Sequence, residues 1–223
     1  MKRILLVVGF HDDDSMRQAV ELEKVFEGFA TVCPTRLPPT FFQENILWYI
    51  MQNIDVSQWD YIGTVPYQYM KKCKGYKVRI SADECTGDCI AFLAHYADDL
   101  YKNMELAHGP ELGAAWDALL SRVAPDLPTR PTVFKHNIYC NAFALKSSIF
   151  RDYINFMMTC LNHVDILNFP VYYNVASIPP ERLGAMGCKG NAYSGLVFIA
   201  ERLINYWLYY KNYSIQVVSC LIS

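Results

Sequence analysis

Trp59-Asp60-Tyr61-Ile62-Gly63-Thr64-Val65-Pro66-Tyr67-Gln68-Tyr69-Met70-Lys71 is the stretch that decides the fold. Tyr61, Ile62, Thr64 and Val65 are β-branched or aromatic, which suits a pleated, buried strand. Gly63 allows another backbone or a ligand to come close. Pro66 has no N–H to give to a ladder, so the strand stops there. Tyr67 to Lys71 then leave the sheet at the strand's carboxyl end, where open α/β sheets bind ligands. The same pattern also describes a buried strand with an ordinary surface loop behind it.

Upstream, Arg3-Ile4-Leu5-Leu6-Val7-Val8-Gly9 reads as a first strand. Its unbroken apolar run suits a strand covered on both faces by helices. Gly9-Phe10-His11-Asp12-Asp13-Asp14 is a turn. Ser15 to Gln18 has capping-box spacing and predicts a helix start, with Val20, Leu22, Val25 and Phe26 as its apolar side and Gly28 as its end. A second strand opens at Phe29, and Pro34 to Pro39 read as loop. Asp12-Asp13-Asp14 fits either a metal site or carboxylates favoured by a helix dipole. The turn lacks the glycine-rich dinucleotide fingerprint. A helix over 41–53 leads into the deciding strand.

Downstream, Lys71, Lys72, Lys74 and Lys77 fit phosphate contacts or a solvated turn. A short strand is predicted over 76–81. Cys85 and Cys89 form a lone CxxxC pair, short of the four ligands tetrahedral zinc takes. A helix is predicted over about 89–107, which would set His95 and Asp99 on one face. That pair reads as an acid/base couple or as a surface hydrogen bond. Further helices are predicted over 111–123, 149–164 (capped by Ser147-Ser148) and 191–210. His136 to Leu145 reads as a strand in which Asn141 needs a partner or a ligand. Segment 165–190, with Pro179-Pro180 and three glycines, has the irregularity of a lid. Residues 213–219 close the chain as a strand. Glu201 lies inside an apolar helix and is expected to be partly buried.

The 223 residues are 52% hydrophobic and 19% charged, so one large domain over 1–223 has a sizeable core. A net charge of −2 with no basic block argues against a nucleic-acid partner. No apolar run is long enough for a membrane span. The eight cysteines, several in apolar surroundings, and the lack of a secretory pattern point to a reduced, cytoplasmic setting. The 16 tyrosines suit stacking on sugars or bases, or reflect compositional habit.

Taken in order, several of these segments resemble a family of small bacterial and viral proteins. They carry a domain of unknown function found in capsular-polysaccharide gene products and are classed as GT-A-type glycosyltransferases. The family's ELTALYW-like helix stands here as Gln43-Glu44-Asn45-Ile46-Leu47-Trp48-Tyr49. Its DYIG-x-x-HYRRY pattern stands as Asp60-Tyr61-Ile62-Gly63-Thr64-Val65-Pro66-Tyr67-Gln68-Tyr69. Its H-x-x-x-DL helix is similar to His95 to Leu100, its NMFIMKK-x-x-F segment to Asn141 to Phe150, and its ERLL-x-x-WL helix to Glu201 to Leu208. Pro66, Gln68 and Tyr69 replace the family's His, Arg and Arg.

The resemblance implies a GT-A-like (Rossmann-like) α/β fold, with a central mixed, mostly parallel sheet flanked by helices. It implies transfer of a sugar from a nucleotide-diphospho-sugar donor to a glycan or other hydroxyl acceptor. Manganese or magnesium is the cofactor such a fold commonly uses, although no Asp-x-Asp pair stands at this strand end. Asp99 with His95 is the first candidate for the base, and Glu201 the second. Gly9, Phe10, His11, Asp12, Tyr67, Gln68 and Asn141 are the candidate donor-binding residues. A catalytically inactive nucleotide-sugar-binding module and a flavodoxin-like nucleotide binder are the competing readings.

Overall fold

The computed structural model describes residues 2–37, 44–73, 78, 80–95, 99–130, 137–138, 140–164, 172–174 and 192–222. Strand β1 (Ile4–Phe10) is the apolar run predicted, and it lies between two parallel neighbours, β2 (Thr31–Arg36) and β3 (Tyr61–Thr64). Helix α1 (Asp13–Val25) links β1 to β2. Its N-cap is Asp12, with Ser15 as the reciprocal partner three residues on, so the helix starts earlier than the predicted Ser15. Pro34 falls inside β2 rather than in a loop. It is tolerated because β2 pairs only with β1 among the described residues, and an edge strand can spare a donor.

Helix α2 (Glu44–Asn53) precedes β3, and the one-turn helix α3 (Tyr69–Lys72) succeeds it, where the sequence predicts a loop. The largest correction falls on 89–107. This segment is strand β4 (Cys89–His95) and then helix α4 (Leu100–His108). The run Cys89-Ile90-Ala91-Phe92-Leu93-Ala94 is apolar throughout, and such a run suits a central strand as well as a buried helix. Tertiary pairing decides between them: β4 carries β9 (Ile215–Ile222) along one edge and β5 (Asn137–Ile138) and β6 (Phe143–Lys146) in succession along the other. Helices α5 (Pro110–Val123), α6 (Ser147–Asn162) and α7 (Leu196–Tyr210) stand close to their predicted positions. Strands β7 (Tyr172–Asn174) and β8 (Ala192–Ser194) form a separate antiparallel pair. The rest of the expected lid over 165–190, and residues 76, 77 and 79 of the expected strand over 76–81, lie outside the described residues, while 78, 80 and 81 are not in a strand.

The seven-stranded sheet is mixed, not mostly parallel. The β1–β2, β1–β3 and β4–β9 ladders are parallel, and the β3–β6, β4–β6 and β4–β5 ladders antiparallel. Side chains alternate between its faces, as the pleat requires. Leu5, Val7, Ile62, Phe143 and Leu145 pack beneath α2, α4, α5, α6 and α7. Ile4, Leu6, Val8, Tyr61 and Ala144 pack beneath α1 and the Tyr69–Cys73 segment. Cys89 belongs to the first layer and Cys85 to the second, so the CxxxC pair is split across the sheet. Cys33, Cys85, Cys89 and Cys160 are free thiols. Among the described residues no helix is long and apolar enough to cross a membrane.

Asp88 ties the sheet together at the amino end of β4. It accepts from Lys146 Nζ at 2.8 Å and from the Ser214 backbone N–H at 2.9 Å and hydroxyl at 2.7 Å. Burial alone would raise its carboxyl, but the Lys146 and Ser214 bonds prevail and bring it down to about 2. A lowered carboxyl contributes its stabilisation fully above its unfolded value of about 4 and loses it as the pH falls towards the folded value. Asp88→Asn is therefore expected to cost roughly 1–2 kcal/mol at neutral pH, discounted for partial exposure. Denaturant titrations should show the gap between variant and wild type closing on acidification below about pH 4. A gap that stayed constant down to about pH 2 would contradict this.

Candidate functional site

Strands β1 and β3 end side by side, and the turn beyond β1 meets the loop beyond β3. Hydrogen bonds build the turn. Asp12 Oδ1 accepts from the Ser15 backbone N–H and hydroxyl, both at 2.7 Å, while Ser15 Oγ accepts from the N–H groups of His11 (3.1 Å) and Asp12 (3.0 Å). His11 Nε2 lies 3.2 Å from Asp12 Oδ2. Gly9 sits under Ile46 of α2, so a Cβ there would come within 2.8 Å of the Ile46 side chain. In the loop beyond β3, the Pro66 carbonyl accepts the Tyr69 N–H at 2.8 Å and turns the chain into α3.

The two segments touch through His11 and Tyr67, whose rings meet edge to face with centroids 5.7 Å apart. Gln68 Nε2 donates to the Tyr67 hydroxyl at 3.4 Å. Both rings are half-buried, leaving a polar aromatic rim. Tyr69 has another job: it is fully buried, packs on Phe26 at 5.3 Å and donates its hydroxyl to the Phe92 carbonyl. The predicted donor-binding residues Gly9, Phe10, His11, Asp12, Tyr67 and Gln68 are thus brought to one end of the sheet.

Asn141 stands at the same end. β4 pairs with β6 at Ala91–Phe143 and with β5 at Ala94–Ile138. Three steps along β4 are therefore matched by five along its partner, and two extra residues bulge out between β5 and β6. The bulge takes Cys140 and Asn141 into left-handed backbone, with φ of 53° and 50°. Asn tolerates that region; a Cys beside it does so at a cost, and such strain concentrates at functional sites. The bulge explains why the strand predicted over 136–145 is split.

Lys72, at the end of α3, reaches into this bulge and donates to Cys140 Sγ at 2.9 Å. Helix α7 covers it from the other side. Asn205 clamps α7 to β5, accepting the Ile138 N–H at 2.7 Å and donating to the Ile138 carbonyl at 3.1 Å. Glu201 lies one turn before Asn205, on the same helix face. Burial pushes the Glu201 carboxyl above the ordinary range, and the charges of Arg202 and Lys72 draw it back in part. Arg202 Nη1 donates to the Phe198 carbonyl at 2.7 Å. His108 of α4 stacks on Phe198 with centroids 3.7 Å apart, and burial, with Arg202 nearby, pushes its imidazole down to about 4. It is neutral at pH 7.

The first candidate base is not assembled as expected. His95 is the last residue of β4, paired with Asn137 and Ile222 through the backbone, so it shares no helix with Asp99. Asp99 is exposed and caps α4, its Oδ1 accepting from the N–H groups of Tyr101 and Lys102, both at 2.9 Å. Glu201, the second candidate base, lies in a buried setting where the charge of Lys72 acts on it. The first-turn carboxylates do not compose a cation site for manganese or magnesium either. Asp12 serves as a cap, and Asp14 pairs with Arg17 and Gln18. Among the described residues there is no group of three or more His, Cys, Asp or Glu with metal-binding proximity. The bulge and the inward reach of Lys72 leave one mark in the sequence, Cys140-Asn141 interrupting an apolar strand, and spacing alone does not reveal them. Comparison with family models, with curated proteins and with solved structures finds no match for this chain.

Proposed function

We propose that this protein is a glycosyltransferase of GT-A-like fold, moving a sugar from a nucleotide-diphospho-sugar to a glycan or other hydroxyl acceptor. The observation that carries the reading is the meeting of the first turn with the exit loop of β3, through His11 and Tyr67, at the carboxyl end of the sheet. Ligands of open α/β sheets bind there. A nucleoside fits against Gly9 to Asp12 with Tyr67 stacking on it, and Gln68 supplies a hydrogen bond, while Asn141 is buried beneath the rim. Glu201 is the base in an inverting transfer: it takes the acceptor hydroxyl's proton as that oxygen attacks the anomeric carbon and the bond to the diphosphate breaks. A carboxyl held above its usual range works as such a base nearer neutral pH.

One observation favours the inactive binding module as a second reading. The exit loop carries Pro66, Gln68 and Tyr69 where the resembling family has basic residues, and Tyr69 is buried. Two measurements decide. A thermal-shift screen of nucleoside diphosphates and their sugars, with and without manganese, is expected to find one base that raises the melting temperature. Turnover of the sugar form is expected to release the diphosphate. Stabilisation without transfer or donor hydrolysis supports the module; no stabilisation by any nucleotide counts against both readings.

A further inference from the structure

We infer that Lys72 is the residue that neutralises the donor's diphosphate, a role that rests on the nucleotide-sugar reading above. The leaving diphosphate gathers negative charge as the sugar departs and needs a positive partner in place beforehand. The exit loop offers none, since Pro66, Tyr67, Gln68 and Tyr69 are all uncharged. The carboxylates of the first turn are committed to capping α1 and to its surface pairs. The exit loop runs straight into α3, which carries two cations, Lys71 and Lys72.

These two lysines differ. Lys71 is exposed, whereas Lys72 is half-buried and its ammonium is held at the Cys140 thiol, inside the left-handed bulge at the carboxyl end of β3. A phosphate oxygen is a strong, charge-assisted partner for an ammonium. Lys72 also comes five residues after Tyr67, so it lies on the same short segment as the stacking ring. Its charge is felt at Glu201. An ammonium that follows the Tyr67 loop and acts on Glu201 is suited to meet the diphosphate joining a nucleoside at His11 and Tyr67 to a sugar at Glu201.

The test compares each nucleoside diphosphate with its own nucleoside, using UDP, GDP, CDP, dTDP and ADP by calorimetry in EDTA. Wild type is expected to prefer one diphosphate over its nucleoside by on the order of tenfold or more. Lys72→Met and Lys72→Gln are expected to lose that preference while binding the nucleoside as before. Lys72→Arg should keep part of it, and Lys71→Met all of it. Using both uncharged variants guards against misfolding of one, since Gln can still donate to Cys140. Diphosphate preference that survives in a folded Lys72→Met or Lys72→Gln protein would overturn the inference and leave the nucleotide-sugar reading standing. If wild type binds none of the five diphosphates, that reading falls, and this role with it.

Discussion

Gly63→Ala is expected to yield little or no folded protein. Gly63 lies in the middle of β3, opposite Ala144 of the antiparallel β6. A Cβ built on it would sit 2.0 Å from the Phe143 carbonyl oxygen and 2.5 Å from the Ala144 Cα. Both are backbone atoms in the centre of the sheet, so no side chain can swing aside. The strands would have to part, breaking the β3–β6 ladder and opening the two packed layers it separates. Overpacking typically costs roughly 1–3 kcal/mol and more where, as here, only backbone can give way, a large share of the stability of an ordinary domain. Soluble yield and urea midpoint are the measurements. Gly9→Ala is the control: the atoms nearest its Cβ belong to the Ile46 and Leu37 side chains, which can adjust, and its cost is expected to be smaller. A Gly63→Ala protein as stable as wild type would mean that β3 and β6 do not pair as described.

Glu201→Gln is expected to remove sugar transfer while leaving donor binding intact. Gln keeps the size and hydrogen bonding of Glu but cannot accept the proton of an attacking hydroxyl. General-base loss lowers rates by roughly 10²–10⁴-fold. The pH dependence of kcat/KM offers an independent check. Because burial raises the Glu201 carboxyl, its acidic limb is expected above the ordinary carboxylate range, with activity falling as the pH drops through it. Removing the buried charge is also expected to leave the fold intact or slightly more stable, since the ionised form is the one that burial penalises. Equal loss of activity in Asp99→Asn would contradict the assignment, because Asp99 is an exposed cap.

Much of the fold is legible in the residues. The β1 run, the β3 strand ending at Pro66 and the periodic apolar faces of α5, α6 and α7 are local signals, and local signals survive folding. β4 reads as helix because a wholly apolar hexapeptide has no period, and only its three partner strands make it a strand. The His95–Asp99 spacing misleads for the same reason: four residues mean one face only if the helix exists. At the site, the first turn and the exit loop are readable because each comes directly after a strand end. Lys72 is indistinguishable from Lys71, Lys74 and Lys77 in sequence. What singles it out is a bulge formed by register mismatch between β4 and the β5–β6 pair, a property of three strands at once. Pro34 shows the converse: it has the look of a loop residue, yet a strand accommodates it because β2 lies at the edge.

The most direct test of where the donor binds is hydrogen–deuterium exchange with the nucleoside diphosphate that the thermal screen selects. Binding between the first turn and the exit loop is expected to slow exchange in two separate stretches, 9–12 and 65–72, together with the bulge at 140–142. Protection confined to other surfaces, with both stretches exchanging as in the free protein, would contradict it.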